Sequence, residues 1–538
     1  MKEAGFLGVS ARTRTHTQKS GYLLERENTI CDRGYYIITS MKRDMPIIVK
    51  YIFPRFQDFV FITVLLLGVL LGPRFLGDGD PGRHIVIGEV ILKEGYIPQA
   101  DIFSHTRSGL PLTTTEWFSE ALYGAAHLLM GLDGVVLLAI LLIAVTVTWI
   151  FRETARKSGS YLAAFIFAFW MIAATLFHWL ARPHLFSWLM AAIWTVAVGR
   201  LARGENTPLW QFPLLMLVWA NLHGGFVVGF LVLAAYLAGW GLDRLLDREN
   251  SPSSDVFKRL LLVSMVSLLV TMLNPAGLRI WSNVVGHVGD KSLMALQIDW
   301  RSPDFHAPNT WPFLLLVASV IFALSVSKKR LGSGQALLCA GLAALAFYSA
   351  RNIPFFVIAC FPVLGEALRE SGILRKSDEG ISALQQELRG VTWSVLAAVI
   401  VAGLFLTGKT LDTTKLGNTF NPVGFPVDAV NWLEAHPQSG NVYNEFTWGG
   451  YVLYRLWPDT KVFIDGQTDF YGAELVKEYL TVLNAQENWE SILDKYAVEW
   501  VLIPRNSAIA NQLKSNVDWT ILYEDKVAII ISRSRNGW

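Results

Sequence analysis

Residues 75–120 read FLGDGDPGRHIVIGEVILKEGYIPQADIFSHTRSGLPLTTTEWFSE, and this stretch decides how the rest of the chain is interpreted. It follows the first long apolar segment and is the richest cluster of ionisable residues between two such segments. Its acidic residues and histidines include Asp78, Asp80, His84, Glu89, Asp101, His105 and Glu116. We interpret the stretch as a polar loop around which the apolar segments are organised.

The composition is that of a membrane protein. Hydrophobic residues make up 52% of the 538 residues and charged residues only 17%, whereas soluble domains are about a quarter charged. Long apolar runs recur from about residue 59 to residue 407, which predicts a mainly α-helical, polytopic transmembrane bundle surrounded by membrane lipid. The net charge of +2 is too small to suggest a nucleic-acid partner. The three cysteines lack the spacing of a zinc site or a disulfide framework.

The apolar pattern predicts about eleven spans, and some are short for the roughly 20 residues that a spanning helix needs. The two predicted spans on either side of Leu222 would also fit a re-entrant hairpin. The spans centre on 57–76, 134–150, 160–180, 184–199, 209–222, 225–242, 259–273, 311–327, 334–349, 353–368 and 391–407. This predicts three regions: an N-terminal tail over 1–55, a transmembrane domain over 56–408 and an α/β domain over 409–538. Residues 1–40 are interpreted either as a disordered tail or as an overlong gene start.

The Lys and Arg residues of the short loops predict the orientation. Every second connection is basic, as expected of a cytoplasmic face. This places the N-terminus on the cytoplasmic side of the cell (inner) membrane and the C-terminal domain on its outer side. The polar loop, with its functional part over 77–120, then also lies outside.

Several outside turns carry cationic residues where few are expected. They are Arg182, His184, His223 and Arg351. One interpretation is that Pro, Asn and Gly simply end helices at these turns. Cations near a membrane are costly unless they are paired or hydrated, so we favour a second interpretation, in which they pair with carboxylates of the polar loop and form a site.

The carboxylates of the loop have alternative interpretations. Asp78 and Asp80 could share a divalent cation, the candidate cofactor, or supply a base beside an electrostatic partner; they would also suit a solvated Gly-Asp turn. Asp101 is either a third site carboxylate or a plain Asx turn. Glu116 and Glu120 either belong to the site or begin an interfacial helix anchored by aromatic residues. Residues 84–94 show a helical pattern and are predicted to lie on the membrane surface, with His84 at head-group level.

Residues 409–538 lack long apolar runs and carry 11 Lys or Arg and 16 Asp or Glu, a net charge of −5. We predict a small extracytoplasmic α/β domain. Its strands are expected at 461–465, 499–503 and 527–532, and its helices at 425–435, 472–483 and 487–495. The turns at 448–451 and 465–472 are rich in glycine, and Asp465 is either a site residue or a turn cap.

These motifs resemble the integral-membrane glycosyltransferases of fold class C, in particular a largely uncharacterised bacterial branch. The resemblance rests on Asp-x-Asp after the first span, with His84 and GlyGlu behind it, and covers most of the chain from about residue 56. The other matching motifs are ProGlnAlaAspIlePheSer, GluTrpPheSerGlu, ArgProHis, AsnLeuHisGlyGly, AsnProAlaGly, AsnGluPheThrTrpGlyGlyTyr and PheIleAspGlyGlnThrAsp.

The resemblance implies hexosyl or pentosyl transfer from a polyprenyl-phosphate-linked sugar donor to an unspecified acceptor on the outer face. By motif position it implies that Asp80, or else Asp78, is the key residue. Two positions depart from the branch: Arg83 stands where an aromatic residue is frequent, and Thr115 where a His is frequent. The alternative from another class is a non-enzymatic transporter, flippase or envelope-assembly factor that uses the outer domain for docking.

Overall fold

The computed structural model describes residues 46–246, 252–282, 300–374, 379–407 and 418–534. The predicted tail over 1–40 and the predicted domain boundary at 408/409 lie outside these ranges. The described helices up to residue 407 are α1 Ile47–Ile52, α2 Phe56–Leu70, α3 Asp80–Glu94, α4 Trp117–Ser158, α5 Tyr161–Thr175, α6 His184–Ala202, α7 Gln211–Leu222, α8 Val227–Leu245, α9 Ser254–Thr271, α10 Trp311–Val326, α11 Ser333–Tyr348, α12 Ile353–Ser371, α13 Glu379–Glu387 and α14 Thr392–Thr407.

Helix α4 is the centre of this bundle. It packs against α2, α3, α5, α6, α7, α12 and α14. Its 42 residues are broken once, at Gly131, whose φ of 60° lies in the left-handed region that favours glycine. The part before the break is therefore a separate helical segment at the start of α4, and the apolar part after it begins where the sequence pattern predicts a span.

The prediction of a polytopic helical bundle is confirmed, because a helix lies at each of the eleven predicted positions. Within the described residues, seven helical segments are long and apolar enough to cross a membrane. Three further apolar helices, α7, α11 and α14, are shorter than 18 residues. The remaining position is occupied by α9, whose first two turns carry Asp255, Lys258 and Arg259.

Helix α3 corrects one prediction. The segment is helical, but protein and not lipid covers its first half: the residues from Pro81 to Gly88 are buried, and α3 contacts both α4 and a helix of the C-terminal domain. A Cβ atom on Gly88 would lie 1.9 Å from the carbonyl oxygen of Glu120. The absence of a side chain there lets the two helix backbones approach closely, which buries His84 inside the protein.

The C-terminal region is an α/β domain, as predicted. Its sheet has the order β1-β2-β4-β3, in which β1 is parallel to β2 and the other pairs are antiparallel. The described elements are α15 Val427–Ala435, β1 Asn441–Asn444, α16 Gly449–Leu456, α17 Thr468–Leu483, α18 Trp489–Lys495, β2 Val498–Pro504, α19 Ala508–Ser515, β3 Trp519–Glu524 and β4 Ala528–Arg533. Strands at 499–503 and 527–532 are confirmed, whereas β1 and β3 are additions to the prediction.

The predicted strand at 461–465 is wrong as a member of the sheet. Val462 instead forms an isolated parallel bridge with Ser104 of the polar loop: its N–H donates to the carbonyl of Phe103 at 3.1 Å, and its carbonyl accepts from the N–H of His105 at 3.0 Å. The segment is thus extended backbone at Val462, as the prediction requires. Its partner is the loop, more than 350 residues earlier in the chain.

The sheet has two apolar faces, because alternate residues of its strands belong to two hydrophobic clusters. Val501 and Ile531 lie in a cluster confined to the C-terminal domain. Trp500 and Ile530 lie in a cluster that continues through α16 and α3 into the helical bundle. The domain is thus joined to the polar loop both by shared core packing and by backbone hydrogen bonds.

Candidate active site at the start of helix α3

The two carboxylates of the Asp-x-Asp motif share one cationic partner. Asp78 lies in the turn before α3, and its Oδ1 accepts the N–H of Asp80 at 3.0 Å. Nη2 of Arg182 lies 3.0 Å from Oδ2 of Asp80 and also contacts Oδ2 of Asp78. The three side chains keep 21–26% of their surface exposed, so they are accessible to a ligand.

Backbone contacts position Arg182. The N–H of Ala181 donates to the carbonyl of Phe75 at 2.8 Å, which ties this turn to the segment just before Asp78. The hydroxyl of Tyr123 donates to the carbonyl of Arg182 at 3.0 Å. The prediction that a cationic helix end faces the acidic loop therefore matches the geometry at this turn.

A turn of the C-terminal domain covers Asp80. A Cβ atom added to Gly466 would lie 1.8 Å from Oδ1 of Asp80, so only glycine permits this close approach. Gly79, which directly precedes α3, approaches the same domain: a Cβ atom on it would lie 2.3 Å from the carbonyl oxygen of Thr447. The glycine-rich motifs of the outer domain therefore serve as its contact surface with the start of α3.

Arg83 fixes this contact. From the sequence it is notable only because the resembling branch frequently has an aromatic residue at this position. Its side chain is 9% exposed; Nε lies 3.3 Å from Oδ2 of Asp465, and Nη2 donates to Oε1 of Gln467. Its Nη1 lies 3.9 Å from Oε1 of Glu120. Burial opposes its charge, but Asp465 and Glu120 outweigh that effect and raise the pKa of Arg83. Arg83 thus bridges α4 and the outer domain beneath Asp80.

Glu120 is buried and holds His84, whose Nδ1 lies 3.4 Å from Oε1 of the carboxylate. The second oxygen of Glu120 has no hydrogen-bond partner among the described residues. Glu120 lies in the first turn of α4, as the helix-start interpretation expects, but its carboxylate is buried against α3. His84 lies beneath the site, on the side of α3 that faces α4.

Glu116 meets His223 at a neighbouring turn. Nε2 of His223 lies 3.6 Å from Oε1 of Glu116, and the N–H of Gly224 donates to the same oxygen at 3.3 Å. Since Nδ1 of His223 accepts from the N–H of Gly225 at 2.9 Å, Nε2 carries the proton. Burial lowers the pKa of His223 to about 3, with help from the charge of Arg351. The imidazole is therefore neutral.

Burial raises the pKa of Glu116 to about 7, although the nearby His84 opposes the rise. Partial burial likewise raises the pKa of Asp78 to about 6; Arg182 opposes this shift and the charge of Asp80 adds to it. A carboxyl group whose pKa is raised beside specific charged partners is typical of functional sites.

Asp101 organises a part of the polar loop that contacts the outer domain. Its carboxylate accepts the N–H groups of Phe103 at 3.0 Å and Ser104 at 3.2 Å, together with the Ser104 hydroxyl. This geometry matches the Asx-turn interpretation. The turn presents residues 103–107 to the outer domain, where Thr106 Oγ1 donates to the carbonyl of Phe463 at 2.7 Å.

Two of the predicted phosphate-binding residues, His184 and Arg351, have contacts away from Asp78 and Asp80. Nε2 of His184 donates to the carbonyl of His178 at 3.0 Å, and its ring packs edge-on against Trp188. The guanidinium of Arg351 lies over the ring of Trp300, 4.4 Å from its centroid. These contacts of both side chains are thus with other parts of the bundle.

Three of the sequence motifs meet through Asn274. Its Nδ2 donates to the carbonyls of Thr115 at 2.9 Å and Ala220 at 3.0 Å. Asn221 accepts the indole N–H of Trp117 at 2.6 Å. The turns at 115–117, 220–221 and 274 are therefore one hydrogen-bonded unit, with Asn221 and Asn274 buried in it. Thr115, the second departure, contacts this unit through its backbone carbonyl.

The predicted cation ligands, Asp78 and Asp80, are both bound by Arg182. Across the described ranges, no group of three or more His, Cys, Asp or Glu side chains is arranged to hold a metal ion. A divalent cation would therefore need oxygen ligands from a substrate or water and would have to replace the guanidinium. The metal stays a prediction.

The sequence matches no family model and no curated protein. Solved structures do match. AglB, the oligosaccharyltransferase of the archaeon Archaeoglobus fulgidus, in complex with an inhibitory peptide and a dolichol-phosphate, has a TM-score of 0.53 over 84% of this chain and 70% of that one, at 15% identity. The oligosaccharyltransferase of A. fulgidus in the apo form has a TM-score of 0.52 over 82% and 69%, at 12% identity.

The chain has the class C glycosyltransferase fold. ArnT from Cupriavidus metallidurans bound to undecaprenyl phosphate also matches, with a TM-score of 0.49 over 89% of this chain and 98% of that one, at 12% identity. The two oligosaccharyltransferase structures confirm the class C resemblance at the level of fold. The bacterial branch stays a prediction.

Proposed function

We propose that the chain is a membrane glycosyltransferase that moves a sugar from a polyprenyl-phosphate donor to an acceptor on the outer face of the membrane. The observation that carries the proposal is the accessible Asp78–Arg182–Asp80 arrangement at the start of α3. It combines a candidate base with a candidate phosphate ligand on a class C scaffold. The matched oligosaccharyltransferase structure with a dolichol-phosphate supports a lipid-linked donor.

Arg182 is the residue we assign to the donor phosphate. A guanidinium presents a planar fork of N–H donors that matches phosphate oxygens, and it keeps its charge at any physiological pH. In the structure these donors face carboxylates. Donor binding would exchange a carboxylate for a phosphate oxygen, which stabilises the negative charge that grows on the leaving phosphate.

Asp80 is the residue we assign as the base. The acceptor hydroxyl oxygen attacks the anomeric carbon, its proton passes to the Asp80 carboxylate, and the bond from the anomeric carbon to the phosphate oxygen breaks. The polyprenyl phosphate leaves with the bonding electrons. This requires Asp80 to lie within about 3 Å of the acceptor hydroxyl, directly or through one water. Asp78 positions Asp80 through the backbone N–H of that residue.

The test is transfer of radiolabelled sugar from a panel of polyprenyl-phosphate sugars by the purified full chain. Asp80→Asn keeps the size of the side chain and removes its charge, and we expect roughly a 10²–10⁴-fold loss of rate. Arg182→Lys keeps the charge but loses the fork, and we expect weaker donor binding. Asp459→Asn is the matched control, because Asp459 is exposed in the outer domain.

If Asp80→Asn transfers sugar at the wild-type rate, Asp80 is not the base, and Glu116 and Asp101 become the next residues to test. If no donor supports transfer and the chain instead moves labelled lipid between leaflets of a vesicle, the enzyme assignment is wrong and the transporter alternative replaces it.

A further inference from the structure

A second polar region lies at the opposite end of the bundle from Asp80. It is a cavity of about 1070 Å³ between the last turns of α4, α6, α8 and α12. Helix α6, for example, begins at His184 beside the candidate active site and ends at Ala202 in the cavity wall. The cavity therefore opens on the face where the Lys and Arg bias of the sequence predicts the cytoplasm.

The charge of the cavity wall is strongly positive. Seven Lys or Arg residues and three Asp or Glu residues line it. The acidic ones have partners: Glu366 lies 3.2 Å from Lys157, Glu370 lies 2.9 Å from Arg369, and Asp243 accepts the hydroxyl of Ser333 at 2.6 Å. The excess of positive charge is thus available to an anion.

The excess is concentrated in one loop, at Lys328, Lys329 and Arg330. Lys329 lies 3.9 Å from Glu366 and is 66% exposed, and no carboxylate of the described residues pairs with Lys328 or Arg330. Three adjacent cations repel one another, so a bound anion would stabilise this loop. The other basic residues of the wall each form an ion pair with a glutamate; they are Arg156, Lys157, Arg203 and Arg369.

The floor of the cavity is polar. A smaller recess of about 30 Å³ continues inward from it, and the two share Arg203, Tyr236 and Gln335. Thr195 also lines the recess. The recess has room for about one or two water molecules, which the phenol, amide and hydroxyl of its wall could hydrogen-bond.

One wall of the cavity is apolar. Trp240 stacks on Phe257 with ring centroids 4.4 Å apart, and Val256 and Leu260 of α9 lie beside it. An indole beside apolar side chains is typical of the level where lipid head groups meet acyl chains. The cavity thus pairs a surface suited to phosphate with one suited to hydrocarbon.

We propose that this cavity is a binding site for a phosphate-bearing anion, and that an anionic phospholipid of the inner leaflet is its source. Basic pockets between transmembrane helices on the cytoplasmic side bind the phosphate head groups of lipids. The head group would contact Lys329 and Arg330, and the acyl chains would follow Trp240 and α9. The site is separate from the candidate active site and does not depend on its activity.

The experiment measures thermal unfolding of the purified full chain in neutral detergent, with phosphatidylglycerol, phosphatidylcholine or inorganic pyrophosphate added over a concentration series. A ligand that binds the folded state raises the melting temperature in a saturable way. We expect phosphatidylglycerol to do so and phosphatidylcholine not to. Lys329→Glu and Arg330→Glu should each raise the half-saturating phosphatidylglycerol concentration by roughly tenfold.

Lys258→Glu is the matched control, because Lys258 is 75% exposed at the start of α9, outside the cavity wall. It should bind phosphatidylglycerol as the wild type does. If pyrophosphate alone stabilises the chain and the loop variants abolish the effect, the phosphate site stands and its ligand comes from solution. If no additive gives a saturable shift, or all three variants behave alike, the proposal is refuted.

Discussion

Replacing Arg83 by Met tests whether the outer domain is held to the bundle by a buried ion pair. The change keeps an unbranched side chain of similar length and removes the guanidinium. It leaves Asp465 and Glu120 without the cation that lies 3.3 Å and 3.9 Å from them. Their side chains are only 2% and 4% exposed, so water cannot replace the lost partner.

The expected cost follows from this burial. Removing one partner of a buried ion pair costs about 3–5 kcal/mol, because the other charge stays buried and uncompensated. Asp465→Asn should cost less, because Arg83 keeps Glu120. The double variant should be more stable than the sum of the two single effects predicts, since the Asp465 charge left behind by Arg83→Met is then absent.

The loss should also depend on pH. Burial already raises the pKa of Asp465 and Arg83 opposes the rise; without Arg83 the pKa of the folded protein moves further above its unfolded value. A carboxyl group of this kind destabilises the folded state when it is ionised, and this penalty disappears as the pH falls and the group protonates. Arg83→Met should therefore lose more stability at pH 8 than at pH 5.

The assay is thermal unfolding of the purified full chain in detergent, followed by tryptophan fluorescence. Lys495→Met is the control, because Lys495 forms an ion pair with Glu478 in the same domain but is 50% exposed, and an exposed pair contributes about 0.2–1 kcal/mol. If Arg83→Met has the same melting temperature as Lys495→Met, the reasoning is refuted. It is also refuted if the effects of Arg83→Met and Asp465→Asn on stability simply add.

Two further predictions concern the site itself. Gly466→Ala should abolish transfer, because its Cβ atom would lie 1.8 Å from Oδ1 of Asp80, whereas Gly424→Ala should be active, because its nearest contact is 3.9 Å away; the sugar-transfer assay compares the two, and equal activity would contradict the close contact. Burial raises the pKa of Glu116 from its usual value near 4.5 to about 7. Ionisation of this carboxyl group should therefore lower the stability of the folded protein as the pH rises from about 4.5 to about 7. Glu116→Gln should remove that slope from the melting temperature measured against pH, and an unchanged slope would contradict the shift.

Much of the fold was predictable because the membrane restricts the possible structures. Long apolar runs can only be helices or a closed barrel in lipid, so the positions of the spans could be taken directly from the pattern. The pairing of a cation with the first-loop carboxylates was also predictable, since an unpaired Arg182 would be costly there. The same reasoning could not select among the four candidate cations, because the pattern does not show which turn packs beside the segment before Asp78. Within the described ranges, the turn at 181–183 has a backbone hydrogen bond to that segment.

The docking of the outer domain could not be predicted. The segment at 461–465 has the short continuous apolar run of a buried strand, but pattern alone does not say which backbone it pairs with, and its partner is residue 104. The helical pattern of 84–94 was likewise correct, but an amphipathic helix buries its apolar face equally well in a membrane or in a protein. Gly88 was the available signal, because a glycine in a helix interior indicates close packing of another backbone.

The departure at Arg83 shows how an unusual residue can be better explained by its partners than by its family position. An aromatic residue at this point of α3 could pack against the outer domain but could not neutralise Asp465. Here the Asp465–Gly466–Gln467 turn supplies a carboxylate and an amide to Arg83 on one side and covers Asp80 on the other. The residue that anchors the outer domain and the residue that we assign as the base thus share a single turn. Any change that loosens the anchor should therefore also disturb the base, even though Arg83 itself contacts neither Asp78 nor Arg182 in the ion pairs of the site.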